Sequence, residues 1–88
     1  MSDKHFIGLV HSVLSSAEAA LGETDSPLTM RLASEGVLAR KTAERSLALL
    51  TMLQTKTLGN LDETERDILT KAIDKVRGGL ERLSDTLN

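Results

Sequence analysis

Apolar residues return at helical spacing in three stretches of the chain, separated by punctuation that reads as helix ends. In the first stretch, at 100° per residue, Leu9, Ala20, Val13, Phe6, Ala17, Val10, Leu21, Leu14 and Ile7 fall into one unbroken arc of roughly 160°. The pattern predicts a helix over about 3–21, with Ser2 or Asp3 as N-cap and Gly22 as the left-handed residue that stops it. Beside the arc lie Gly8, Ser12, Ser15, Ser16 and Ala19, all small, leaving only Lys4, His11 and Glu18 on the charged edge.

A second helix is predicted over about 37–58, where Leu49, Leu53, Ala39, Leu50, Ala43 and Leu47 make an equally broad arc that includes Ser46 and Thr42. Arg40, Lys41, Glu44, Arg45 and Lys56 take the other side. Met52 falls between Lys41 and Arg45 on the wheel, a large apolar side chain on a charged face. It reads either as a lone surface methionine or as an adaptable partner contact.

The third stretch carries Leu69, Ile73, Val76, Leu80, Leu83 and Leu87 at spacings of 4, 3, 4, 3 and 4. This is a narrow amphipathic seam, about 100° wide with Ala72. Gly78 and Gly79 interrupt it, costing about 2 kcal/mol relative to two alanines in a continuous helix. They mark either a kink and close helix approach or a point beyond which the last turns fray.

Between helices two and three, "KTLGNLDETE" (56–65) reads as a corner rather than a site. Lys56 suits the negative end of a helix dipole, Gly59 supplies a left-handed turn, and Asp62 with Glu65 three residues on forms a capping box. The acidic cluster would repel a phosphate at the same helix start. Between helices one and two, Ser26-Pro27 is a sound helix start. The segment over 27–35 is expected either as a short helix of its own or as a run into helix two, with Gly36 a terminator or an interior glycine.

Composition narrows the class. Eighty-eight residues, 40% of them hydrophobic, suit a single domain over 1–88 with a small core. Phe6 is the only aromatic and there is no cysteine, so the core is aliphatic and neither disulfides nor thiolate metal sites are expected. A reducing cytoplasm is the expected setting. Asp3 offsets Lys4, and His11 with Ser12 breaks the apolar run, so the start is expected to be a helix rather than a signal peptide. No segment approaches the ~20 apolar residues of a membrane span.

Candidate chemistry is sparse. His5 and His11 stand about 120° apart on helix one, too far for a shared metal in the i, i+4 manner. The carboxylates of helix three (Glu63, Asp67, Asp74, Glu81, Asp85) alternate with Lys71, Lys75 and Arg82 as on a solvated face. No phosphate-binding loop or zinc spacing occurs, so no catalytic, cofactor or metal residues are nominated and no enzymatic activity is expected. The overall charge of −2 hides a local excess of three positive charges over 26–56, where Arg31, Arg40, Lys41, Arg45 and Lys56 stand against Glu35 and Glu44. Arg40, Lys41 and Arg45 are the candidate anion contacts, although no aromatic stacking platform accompanies them.

The stretch "AERSLALLTMLQTKTLGNLDETERDIL", with "MLQTKT", "GNL" and the acidic turn after it, resembles the small bacterial proteins catalogued as domain of unknown function 1844. "SSAEAALGE" is similar to that family's first-helix ending, and Arg77 also fits. Ala48, Leu58 and Asp74 depart from the pattern, where an aspartate, a lysine and an aromatic are usual. The resemblance implies a compact helical protein and transfers no activity.

The expectation is therefore an all-α fold of three main helices in an antiparallel bundle. Two of its arcs are wider than a thin bundle covers. Self-association as a homodimer through Gly8, Ser12, Ser15 and Ala19, with Met52 as a further partner contact, is expected, unless the 24–36 segment covers the surplus. The functional expectation is a non-enzymatic helical interaction module. Its rival is a nucleic-acid or ribosome-associated accessory using the basic face of residues 31–56.

Overall fold

Asp3 starts the first helix by accepting the orphan N–H groups of His5 and Phe6 on its carboxylate, at 2.8 and 3.3 Å. In a computed structural model, residues 2–22 and 36–87 are described, with side-chain surroundings over 2–22 and 39–82. Three helices make up the described chain: α1 (Lys4–Leu21), α2 (Gly36–Lys56) and α3 (Glu63–Leu87). No strand occurs among the described residues.

Helix α1 ends as its sequence demands. Gly22 takes a left-handed φ of 73° and returns its N–H to the carbonyls of Ala19 and Glu18. Residues 27–35, where a short helix or a run into α2 was open, lie outside the described residues, as does Arg31. Helix α2 is described from Gly36 onward, and what precedes that glycine lies outside the described residues.

The corner is longer than the apolar pattern suggests, because α2 stops at Lys56 rather than at residue 58. Thr57 donates both its N–H (3.0 Å) and its hydroxyl (2.6 Å) to the Leu53 carbonyl, and the Asn60 N–H then closes a tight turn on the Thr57 carbonyl at 2.8 Å. Gly59 sits at φ 86°, which a side chain would resist. Leu58 lies within this turn and is 81% exposed.

Helix α3 then opens with the expected capping box. The Glu65 N–H donates to the Asp62 carboxylate at 2.7 Å, and the Asp62 N–H donates to Glu65 Oε1 at 2.9 Å. The Glu65 N–H, supported by the Ser2 hydroxyl and the Thr64 N–H, holds the Asp62 carboxyl below its ordinary range, against a smaller desolvation effect. Past Gly78 and Gly79 the helix continues unbroken to Leu87, so fraying does not set in at the pair. A Cβ at Gly78 would meet only Arg82 Nη1 at an ordinary 3.7 Å, so crowding does not require glycine there. The Asp67–Lys71 ion pair (3.0 Å) has the favourable acid-first order along the helix, and both side chains are exposed.

The short corner makes α2 and α3 antiparallel. The Asp3 N–H then donates to Glu65 Oε2 at 2.8 Å, which sets the start of α1 beside the start of α3. Helices α1 and α3 therefore run parallel, and α2 runs against both. Each helix contributes to one aliphatic core: Val10, Leu14 and Ala17; Ala43 and Leu50; Leu69, Ala72, Ile73 and Val76. Phe6, Val13, Leu47, Leu53, Leu61 and Ile68 pack around it. Fully buried alanines on all three helices suit close approach, and no buried side-chain polar atom among the described residues lacks a partner.

Candidate functional site

Burial divides the wide arc of α1 in two. Val10, Leu14 and Ala17 are buried, Phe6, Ile7 and Val13 are half-buried, and Leu9 remains 48% exposed at the edge. The small residues Gly8, Ser12, Ser15 and Ala19 are all exposed. At 100° per residue they span about 60° on the side of α1 turned away from Val10. A Cβ built on Gly8 would meet nothing.

On α2, Leu50, Ala43 and Ser46 are buried, whereas Leu49 and Met52 are each 43% exposed. Lys41, Arg45, Leu49, Met52 and Lys56 share a stripe about 80° wide, so the candidate partner contact at Met52 and two of the candidate anion contacts occupy one face. Arg40 does not join them. It is half-buried, engaged with a neighbour, and turned about 100° from Lys41 and 140° from Arg45.

The position of α3 fixes which seam each exposed leucine borders. A groove between α1 and α3 is lined by Val10, His11 and Leu14 from α1. The His11 side of α1 therefore faces α3, and the opposite side, bearing Leu9, faces α2. With α2 antiparallel, the right-handed sense of the helices turns the Leu49 side of α2 toward α1. Leu9 and Leu49 thus border the same outer seam. Met52 and the small residues of α1 point outward from separate helices, to either side of it.

The α1/α3 groove is a second feature, with a volume of about 150 Å³. Its floor is Val10, Leu14, Ile68 and Ala72; its rim is His11, Lys71 and Lys75. The sequence pattern placed both lysines on a solvated face and did not connect them with His11. The only local signal was a like-charge i, i+4 pair beside Ile68 and Ala72.

Among the described residues no three His, Asp or Glu side chains gather where they could hold a metal ion. His5 and His11 lie on different sides of α1, and no described helix is long and apolar enough to cross a membrane. What the elements build is an assembly of exterior faces.

Among the described residues the fold is all-α, three helices packed around an aliphatic core. Residues 3–81 match the family model described as Domain of unknown function (DUF1844), and the chain belongs to that family. No curated protein matches it, and no solved structure does.

Proposed function

We propose that this protein is a non-enzymatic helical interaction module that self-associates as a homodimer through α1 and the α1/α2 seam. The observation that carries the reading is the paired exposure of Leu9 and Leu49 along one seam. Two half-exposed leucines facing the same direction are more than the isolated apolar residue that any surface carries. Gly8, Ser12, Ser15 and Ala19 beside them allow a second backbone to approach closely, and two-fold pairing is the commonest way for one surface to cover itself. The cysteine-free composition supports a reducing, cytoplasmic setting.

Solution mass by light scattering across concentration tests this. A dimer at micromolar protein that becomes monomeric in Leu9→Asp, and weakens in Ser12→Leu and Met52→Asp, supports the reading. A concentration-independent monomer overturns it.

The exposed cations Lys41, Arg45 and Lys56 favour a second reading, a nucleic-acid or ribosome-associated accessory. Against it stand Leu49 and Met52 within the same stripe and Arg40 turned out of it. Salt-dependent RNA or DNA binding lost in Lys41→Glu/Arg45→Glu would select this reading over the first.

A further inference from the structure

We infer that the groove between α1 and α3 is a docking site for an acidic amphipathic helix of a protein partner. In this mode one large apolar side chain enters the groove while carboxylates on the same helix meet Lys71, Lys75 and His11. The site lies on a different seam from the Leu9 and Leu49 surface and goes beyond the self-association reading.

Size selects the kind of occupant. A space of about 150 Å³ with an aliphatic lining holds a benzene-sized group. That matches one leucine or phenylalanine side chain, and it is well below the roughly 300–1,000 Å³ of pockets that enclose whole small molecules. Val10 and Ala72 on the floor are almost wholly buried, so the groove is backed by the core itself. An anchor entering it would bury its surface against packed aliphatic side chains, the setting in which single interface residues dominate binding.

Charge selects the partner's chemistry. The groove lining contains no carboxylate, and nitrogen donors stand on both banks, the His11 imidazole from α1 and the Lys71 and Lys75 ammonium groups from α3. Lys71 and Lys75 are one turn apart, about 6 Å along α3, which matches the spacing of carboxylates at i and i+4 on a helix laid beside them. Lys71 pairs with Asp67 at 3.0 Å, but both side chains are largely exposed, so that bond yields readily to a partner carboxylate. Lys75 has no carboxylate within ion-pair distance among the described residues. Glu18, about 10 Å further along α1 from His11, limits the acidic contact to the level of the groove.

The test uses the intact 88-residue chain, isotope-labelled, with methyl and amide shifts followed by NMR. The first probe is a synthetic amphipathic helix with one phenylalanine flanked by glutamates at i−4, i and i+4 spacing; the second is the same peptide with lysines replacing the glutamates. Shifts at Val10, Leu14, Ile68 and Ala72 with the acidic peptide, at least tenfold weaker with the basic one, support the site. They are expected to vanish in Lys71→Glu/Lys75→Glu, while Lys41→Glu/Arg45→Glu leaves them unchanged. No shift at millimolar acidic peptide, equal response to both peptides, or shifts confined to α2 would each overturn it. Equal occupancy by 4-phenylbutyrate alone would also overturn it, by making the groove a small-anion site. The outcome is independent of the dimer's mass, so the two readings fail separately.

Discussion

The Glu65 carboxylate joins two helix starts at once: Oε1 accepts the Asp62 N–H at 2.9 Å and Oε2 accepts the Asp3 N–H at 2.8 Å. Glu65 is only 6% exposed, so both bonds form largely away from competing water. A side chain that would serve one capping box is thereby also the tertiary link that aligns α1 with α3.

Removing that carboxylate leaves donors unsatisfied at both helix starts. Glu65→Ala is expected to cost about 2–3 kcal/mol, the range for charge-assisted bonds at partly buried groups. Asp3→Ala, which removes only the α1 cap, is expected to cost about 1 kcal/mol. Urea unfolding of both variants checks the order; equal losses would refute the double role of Glu65.

The lowered pKa of Asp62 makes a signed prediction. Because the folded value lies below the ordinary 3.8, the stability that the ionised carboxylate contributes is complete above that value. It is lost as pH falls through the lowered folded value. Asp62→Asn should therefore flatten the acid side of the stability profile, measured by denaturation between pH 2 and pH 5.

Two leucines eight residues apart should behave oppositely. Leu50 is fully buried, and Leu50→Ala is expected to cost about 2–5 kcal/mol. Leu58 stands on the corner, and Leu58→Ala should fall within about 0.5 kcal/mol of the parent in thermal or chemical unfolding.

Glycine replacements separate conformation from space. Gly59→Ala forces a side chain into the left-handed region and is expected to cost about 1–2 kcal/mol. Gly8 sits in a helix with open space at its Cβ, so Gly8→Ala should stabilise the monomer by about 0.5–1 kcal/mol. Urea unfolding at low protein concentration measures both.

The three helices, the Gly22 stop and the Asp62–Glu65 box were legible in the sequence because each rests on neighbours within a few residues. The end of α2 was not, since no glycine or proline stands between Gly36 and Gly59 and only the Thr57 hydroxyl and the Asn60 N–H reveal the turn. Leu9 and Leu49 stand at the margins of their arcs on the wheel, but which margin stays uncovered depends on the packing of other helices, and no single helix shows it. The same holds for the groove: His11 meets Lys71 and Lys75 only because α1 and α3 run parallel, and no local pattern encodes that.

The bond between residues 3 and 65 also orders events during synthesis. It joins positions 62 apart, so the nascent chain can fasten the start of α1 to the start of α3 only after Glu65 has been made. Until Glu65 emerges, the Asp3 N–H has no partner on α3, and the side of α1 that α3 covers stays open to water.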